Sequence, residues 1–478
     1  MMPAMPPTDL IAAPATDIVA RLRSGDITPH DCLDALEARV AAVDGAVNAL
    51  PILCWERARA QADRLMKRPP AERGLLAGLP VPIKDTAKVA GVRSTQGSPL
   101  FADFVPPESD ITVEQIEREG GLVYAKSNTP EFAAGANTVN PVFGPTRNPW
   151  RLSHSAAGSS GGAAAALASG TAWVAHGSDM GGSLRNPASF CGVVGMRPTP
   201  GRCAASNPAQ IDQTLSVQGP MARNVADMAL LLDAMAGERN GDLLSKPRPH
   251  ESFLSAARKD WRPKRVAYSA DLGITPVDPE VARITRAAAE RLAREGVAVE
   301  EAHPDLREAH ECFHVLRAHA FAINHGQLYA ARPDGYAHNP DLCWNIEAGL
   351  ALTAEAIMRA QWARAALARR MDAFLQDCDL LLAPATVVPP FPVEQAWPRD
   401  CAGEPFEHYF KWLAIAYAVT LCGTPAVSVP CGFTADGLPV GLQVVAPANG
   451  DARAIAGAAC MERVLGLGAI TPIDPRPC

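Results

Sequence analysis

The stretch 158–185 constrains the fold of this chain most, because two glycine-framed serine loops, GSSGG and GSDMGGSLR, flank a run of small apolar residues. The run 163–168 contains no Gly or Pro and predicts a buried helix. The short apolar segment 172–176 predicts a strand that leads into the second loop. The helix then begins beside one loop and the strand ends at the other, so Ser159 and Ser183 are expected to present their hydroxyls together.

A lone lysine ends an apolar stretch further upstream, GLPVPIKD at 78–85. This pattern predicts a buried strand that delivers Lys84 to the protein interior. A buried lysine loses its proton readily, and the neutral amine can then act as a general base. A serine nucleophile needs such a base because its own hydroxyl is almost unreactive at neutral pH.

Together these segments resemble the amidase signature family, the Ser–cisSer–Lys hydrolases. The matching segments are GLPVPIKD, GSSGG, GSDMGGSLRNPASFCGVVGMRPTPGR, TPAVSVPCGF and LPVGLQVVAP. The resemblance implies that Ser183 is the nucleophile, that Ser159 is a relay serine behind a cis peptide bond and that Lys84 is the base. One departure is visible: Ala157 stands where the family usually has a glycine, and it leaves the three catalytic positions unchanged.

The same resemblance implies how the two loops are supported and how an oxyanion is held. Asp179 and Arg185 would form a charged pair that braces the loops, and Ser160 would add further support. The backbone N–H groups expected to form the oxyanion hole belong to Met180, Gly181, Gly182 and Ser183. Neither a metal nor an organic cofactor is implied.

Strand and helix patterns alternate along the chain. They fall at about 111 onward (helix), 121–126 (strand), 224–235 (helix), 266–268 (strand), 279–294 (helix) and 297–299 (strand). Such alternation predicts an α/β protein in which helices cover both faces of a largely parallel sheet. The resemblance implies the amidase signature fold with a central mixed sheet. We expect a single domain over 9–468, whose variable region at about 305–412 roofs the substrate pocket.

Aromatic residues in this roofing region predict the kind of substrate. Trp344, Tyr409 and Trp412 are the pocket candidates, and large aromatic side chains suit a bulky apolar ligand. No charged pair other than Asp179–Arg185 is evident near the core motifs to bind a zwitterionic amino-acid amide. The expected substrate is therefore a neutral, fairly bulky aryl or alkyl amide.

Two alternative activities on the same scaffold stay open. A carbamate (urethane) hydrolase or an aryl acylamidase would differ only in the pocket. The glutaminase subunit of a tRNA-dependent amidotransferase also resembles this family. That subunit would need partner subunits and a small polar pocket, and the tryptophans argue against it.

A third alternative is a zinc hydrolase, because the chain contains a literal HExxH at 310–314. His310 and His314 would share a helix face and hold zinc, with Glu311 as general base. The extended metzincin pattern fails downstream, and Glu347 is the nearest acidic candidate for a third ligand. We therefore favour the serine–lysine chemistry.

Composition limits the partners. The formal net charge is −7 without a basic stripe, which argues against nucleic acid. No apolar run reaches the roughly 18 residues that span a bilayer, and the N-terminal residues lack the basic start of a signal peptide. The chain has twelve cysteines but no C-x-x-C, which predicts reduced thiols in a cytoplasmic protein. A small-molecule amide or carbamate is the expected partner; the oligomeric state, a homodimer included, stays open.

Overall fold

The computed structural model describes residues 7–206 and 209–477. The first six residues of the N-terminal stretch considered for a signal peptide, and Cys478, lie outside the described residues. The helices are α1 (Pro7–Ala12), α2 (Ala15–Ser24), α3 (Pro29–Val47), α4 (Trp55–Met66), α5 (Ile111–Arg118), α6 (Gly161–Ser169), α7 (Arg185–Cys191), α8 (Val225–Met235), α9 (Phe253–Arg258), α10 (Pro279–Arg294), α11 (Ala309–Ala331), α12 (Pro340–Leu350), α13 (Ala354–Phe374), α14 (Ala414–Leu421) and α15 (Asp451–Leu465).

The strands form one large sheet and several small ones. They are β1 (Ile52–Leu53), β2 (Pro80–Lys84), β3 (Leu122–Ser127), β4 (Val139–Asn140), β5 (Gly144–Pro145), β6 (Arg147–Asn148), β7 (Arg151–Ser155), β8 (Val174–Asp179), β9 (Val194–Arg197), β10 (Val217–Ala222), β11 (Arg265–Tyr268), β12 (Ala298–Glu301), β13 (Leu380–Pro384), β14 (Asp400–Cys401), β15 (Glu404–Pro405), β16 (Ala426–Phe433) and β17 (Pro439–Val445). The large sheet has the order β12-β11-β13-β17-β16-β9-β10-β8, and β1-β3-β2 form a smaller sheet.

The large sheet is mixed, but the prediction that it is largely parallel needs correction. Within this sheet, as far as the structure describes the chain, only β11 makes parallel pairs, with β12 and with β13. The pairs β13–β17, β17–β16, β16–β9, β9–β10 and β10–β8 are antiparallel. The reason lies in the connections: β11 and β12 are joined by α10, which makes a parallel crossover possible, whereas a short turn at 434–438 joins β16 directly to β17.

Helices cover both faces of this sheet, as the sequence predicts. Gly441 and Val444 of β17 point to opposite faces because they are an odd number of residues apart. A Cβ built on Gly441 would lie 2.7 Å from Cβ of Ser189 in α7. Val444 instead approaches Gly457 of α15, within 3.1 Å of a Cβ built there. Because both faces are covered, every residue of β17 is buried.

The helix α6 positions the first serine loop. All of its residues are buried, and its small side chains let it pack closely against neighbouring backbone. A Cβ on Gly162 would lie 2.3 Å from the backbone nitrogen of Asn128, a distance that only glycine tolerates. The first turn of α6 is thus fixed, and Ser159 and Ser160 directly precede it.

The other predicted elements agree with the structure in type and nearly in position. The α10 helix has the predicted bounds, α8 begins one residue later than predicted, and β8 begins two residues later and continues to Asp179. The segment 137–150 contains the short strands β4, β5 and β6. Over the residues that the structure describes, no helix is long and apolar enough to cross a membrane.

Candidate active site

Lys84 lies at the centre of a buried cluster of serine hydroxyls. It is the last residue of β2 and has no exposed surface. Its Nζ lies 2.7 Å from Oγ of Ser159, 3.1 Å from Oγ of Ser160 and 3.0 Å from Oγ of Ser178. The backbone N–H of Lys84 also donates to Nδ1 of His176 at 3.4 Å, which connects β2 to β8. The structure therefore brings Lys84 and Ser159 together, as the motifs predict.

Burial determines the charge of this cluster. Removal from water lowers the pKa of Lys84 from 10.5 to about 7, against the opposing effect of the Asp179 carboxylate. Burial and, to a lesser extent, the charge of Lys84 together lower the pKa of His176 to about 3, so this imidazole is neutral at physiological pH. An amine with a pKa near 7 is available as a base at neutral pH.

The first serine loop has the backbone geometry that the resemblance implies. The peptide bond between Gly158 and Ser159 is cis. Ala157, the departure from the family pattern, has a φ of 56°, in the left-handed region that favours glycine. Its carbonyl accepts hydrogen bonds from the backbone N–H and the hydroxyl of Thr138, at 3.1 Å and 2.7 Å, so the loop keeps its shape with alanine there.

The second serine loop connects β8 to α7 and contacts the first. The backbone N–H of Ser160 donates to the carbonyl oxygen of Ser183 at 3.2 Å. Gly182 has a φ of 106°, and a Cβ there would lie 2.5 Å from Oδ1 of Asn186, so this position requires glycine. Ser183 is thereby held beside the loop that carries Ser159.

One part of the predicted oxyanion hole is incorrect. The backbone N–H of Gly182 donates to Oδ1 of Asp179 at 3.1 Å and so supports the loop from within. The backbone N–H of Leu184 donates to the other carboxylate oxygen, also at 3.1 Å. The sequence could not assign these bonds because adjacent N–H groups of a tight loop point in different directions. Of the predicted set, the N–H groups of Met180, Gly181 and Ser183 remain candidates.

The loop is braced by a buried ion pair, as predicted. Arg185 donates to Asp179 through Nη2 at 2.9 Å and through Nε at 3.1 Å, and both side chains are fully buried. Arg197 adds a third charge, with its Nη1 3.4 Å from the same carboxylate. Burial alone would raise the pKa of Asp179, but the two guanidinium groups hold that pKa well below its usual value.

Removing one partner of this pair should destabilise the fold. We expect Arg185→Met to lower the free energy of unfolding by about 3–5 kcal/mol, because the Asp179 carboxylate would be buried with its charge only partly balanced. Urea denaturation monitored by circular dichroism measures this change. The matched control is Arg265→Met in the exposed Arg265–Glu300 pair, where little change is expected. Equal effects of the two substitutions would contradict a bracing role for Arg185.

A cavity of ≈ 330 Å³ opens onto the serine cluster and is lined by Ser159, Ser178 and Ser183. Its apolar walls are formed by Phe132, Met180, Phe321 and Leu413. Its polar lining includes Gln96, Asp110, Gln213, Gln218, Arg317, Asn324 and His325. The cavity is large enough for a small molecule, and polar side chains form most of its lining, with the apolar residues gathered as one part of the wall.

The predicted aromatic pocket residues do not line this cavity, which corrects the sequence analysis. Trp412 is 1% exposed and packs against Phe190 and Phe391 in the core. Trp344 is stacked on the ring of His408. Tyr409 is buried and does not line the cavity itself, but its hydroxyl and ring contact Arg317, which does. The number of aromatic residues in a segment indicates a large buried area, but it does not indicate which cavity the rings face. Leu413, which follows Trp412 in the sequence, is the residue that lines the site.

The HExxH residues lie on α11 but have other partners. Nδ1 of His310 is 2.6 Å from the hydroxyl of Tyr417, and its Nε2 is 2.8 Å from the carbonyl oxygen of Ile274. His314 packs against aromatic rings, and Glu347 is hydrogen-bonded to the hydroxyl of Tyr329. Within the described part of the chain, no group of three or more His, Cys, Asp or Glu side chains could hold a metal ion. Because both ring nitrogens of His310 are engaged, the zinc alternative has no support from this geometry.

Most of the cavity lining lies outside the predicted motifs, and Ser178 and Arg317 are the two lining residues nearest to the proposed chemistry that sequence reasoning missed. Ser178 stands directly before Asp179 in the second serine loop, and its place in that motif was the available signal. Arg317 lies on α11, over one hundred residues from the serine loops, and no local pattern associates it with them.

Comparison with known proteins defines the class. The Amidase family profile matches residues 31–455. An acylamidase from Rhodococcus erythropolis is 35% identical over 94% of this chain and 95% of its own length. A glutamyl-tRNA(Gln) amidotransferase subunit from Halothermothrix orenii is 30% identical, over 93% of this chain and 96% of its own. A bacterial aryl acylamidase of the amidase signature family has a TM-score of 0.89 at 27% identity, covering 97% of this chain and 99% of that one.

The chain therefore belongs to the amidase signature family. It is an amidohydrolase, an enzyme that acts on carbon–nitrogen bonds other than peptide bonds in small amides.

Proposed function

We propose that this enzyme hydrolyses amides through an acyl-enzyme on Ser183, with Lys84 as the base acting through Ser159. The observation that carries the proposal is the 2.7 Å contact between Nζ of Lys84 and Oγ of Ser159, buried beneath the cavity that Ser183 lines. Neutral Lys84 takes the proton of Ser159, which takes that of Ser183 as Ser183 attacks the carbonyl carbon. Ser159 then returns a proton to the leaving amine, and water releases the acid along the same path.

The developing oxyanion requires donors that are already oriented. The N–H groups of Met180, Gly181 and Ser183 are our candidates, since the Gly182 N–H supports the loop instead. Rigidity of this loop supports the assignment, because the Asp179–Arg185 pair fixes it from behind.

The substrate we propose is a fairly bulky aryl or alkyl amide. The apolar walls formed by Phe132, Phe321 and Leu413 support it, and so do relatives named acylamidase and aryl acylamidase. We also propose that 9–468 is one catalytic domain and that 305–412 roofs the pocket, since α11 supplies Arg317 and Phe321 to the lining. The sequence predicts a neutral substrate because no charged pair other than Asp179–Arg185 is evident near the motifs. Arg317 is a further charge in the cavity, so that reason no longer supports a neutral substrate.

The reaction class can be tested with three matched substrates. We expect kcat/KM for an anilide of a medium-chain or aromatic acid to exceed that for glutamine by at least about 100-fold, because glutamine fills little of the apolar wall. The measurement is product release under identical conditions from the anilide, glutamine and the corresponding aryl carbamate. Preference for glutamine would favour the glutaminase alternative. Preference for the carbamate would favour the urethane hydrolase.

Two further predictions of the sequence keep that status. The cysteines of the described residues are all free thiols, which supports the predicted reducing, cytoplasmic location. A homodimer stays a prediction.

A further inference from the structure

Arg317 is a buried cation in the same cavity as the proposed nucleophile. Its residue surface is 6% exposed, and it lines the cavity together with Ser159 and Ser183. One of its terminal nitrogens donates to the hydroxyl of Tyr409 at 2.7 Å, and the other lies 3.6 Å from the sulfur of Met180. Its Nε has no hydrogen-bond partner. Among the residues that the structure describes, no carboxylate lies within salt-bridge distance of this guanidinium.

Aromatic rings fix the position of this group. The guanidinium carbon lies 4.4 Å from the ring centre of Phe321, 5.4 Å from that of Tyr409 and 5.3 Å from that of Phe410. The Tyr409 hydroxyl in turn donates to Oδ1 of Asn345 at 2.9 Å. Cation–π contacts and this hydrogen-bond chain hold the side chain in place without any ligand. A positioned guanidinium loses little conformational freedom when it binds an anion.

The chemistry of the free donors indicates the ligand. A guanidinium carries five N–H groups in a planar fork, and the contacts above use only two directions. Buried donors without acceptors are costly, and a carboxylate accepts two parallel bonds from such a fork. The other charged or titratable groups that line the cavity, Asp110 and His325, do not offer a second cation to which a carboxylate could bind. Asp110 accepts the backbone N–H of Lys88 at 3.0 Å, and burial, then the charge of Arg317, lower the pKa of His325 to about 4.

We propose that Arg317 binds a carboxylate of the substrate, so that the enzyme prefers amides carrying an acidic group over neutral amides of the same shape. This inference rests on the proposed hydrolase function and replaces the predicted neutral substrate by an anionic one. The carboxylate belongs either to the acyl group or to the leaving amine, and both sources present the same anion to Arg317.

Two pairs of substrates separate these sources. The acyl-side pair is glutaric acid monoanilide and the anilide of 5-methylhexanoic acid, in which an isopropyl group replaces the carboxylate. The amine-side pair is 4-acetamidobenzoate and 4-isopropylacetanilide. For wild-type enzyme we expect the anionic member of one pair to have a kcat/KM about 10- to 100-fold higher than its neutral partner. The pair that shows this preference identifies the side of the scissile bond.

The ratio within each pair is then measured in two variants. In Arg317→Gln we expect the ratio to fall to about one or below, and in Arg317→Lys to an intermediate value, because an ammonium keeps the charge but lacks the fork. Arg359→Gln, on the exposed Arg359–Glu355 pair of α13, is the control and should keep the wild-type ratio. Each ratio comes from one preparation, so a smaller folded fraction does not alter it.

Equal kcat/KM within both pairs for wild-type enzyme would overturn the proposal, as would a preference that survives in both Arg317 variants. If none of the four amides is hydrolysed, the proposed hydrolase function fails for this class of substrates. The role of Arg317 is then tested separately by measuring how tightly the four amides bind. Calorimetry with the Ser183→Ala variant should then show the anionic member binding more tightly than the neutral one. That difference should vanish in Ser183→Ala/Arg317→Gln, and equal binding would count against Arg317.

Discussion

Replacing Ser183 by alanine should reduce kcat by on the order of 10⁴-fold or more, because the substitution removes the only atom that we propose forms a bond to the substrate. The oxyanion donors and the cavity would stay in place, so substrate binding should survive. The measurement is single-turnover hydrolysis of a good anilide at high enzyme concentration, together with the free energy of unfolding. We expect stability close to wild type, since the change deletes one hydroxyl from a loop that Asp179 and Arg185 brace.

A matched control uses the same substitution elsewhere. Ser255→Ala, at an exposed position of helix α9, removes a hydroxyl that donates to the exposed Glu251 carboxylate, and it should leave kcat within about twofold. Activity near the wild-type level in Ser183→Ala, with contaminating enzyme excluded by inhibitor titration, would remove Ser183 from the reaction.

What could be predicted from the sequence depended on short motifs. Lys84, Ser159 and Ser183 lie in local patterns whose residue types carry the chemistry. The contact of Lys84 with Ser159, and the shared cavity of Ser159 and Ser183, follow from the order of helix and strand. Local caps fixed some boundaries equally well. Thr28 caps α3 through a hydrogen bond from the backbone N–H of Asp31, and Asp278 caps α10 in the same manner.

What could not be predicted depended on contacts between distant segments. The direction of each strand depends on how the chain connects it to its neighbours in the sheet. The alternation of helix and strand patterns does not show these connections, and it therefore predicts more parallel strand pairs than the sheet contains. The direction of the Gly182 N–H depends on a carboxylate three residues away, which a motif does not encode. Arg317 reaches the cavity from α11, and its guanidinium lies 3.6 Å from the sulfur of Met180 in the second serine loop, a contact between segments far apart in the sequence. Trp412 is the converse case, a large side chain near the site in sequence but turned into the core.

The charge state of Lys84 should set the pH dependence of the reaction. Burial lowers its pKa to about 7, so the amine is mostly charged below that pH and mostly neutral above it. Only the neutral form can accept a proton. We therefore expect kcat/KM to rise about tenfold per pH unit below pH 7 and to level off on the alkaline side, since this constant reports the free enzyme. Initial rates between pH 5 and 9, with enzyme recovered intact afterwards, measure the profile.

A histidine could produce a similar rise, so the profile needs a matched variant. His325 lines the cavity, but burial lowers its pKa to about 4, and His325→Gln should leave the midpoint near 7. Lys84→Met should remove the rise together with the activity. Loss of the base alone costs about 10²–10⁴-fold, and groups that act as one unit lose nearly as much singly as together. The double variant Lys84→Met/Ser183→Ala should therefore be little slower than either single variant. Activity that is highest at acid pH and falls as the pH rises would exclude a lysine base. Lys84 is protonated at acid pH, and a protonated lysine cannot accept a proton.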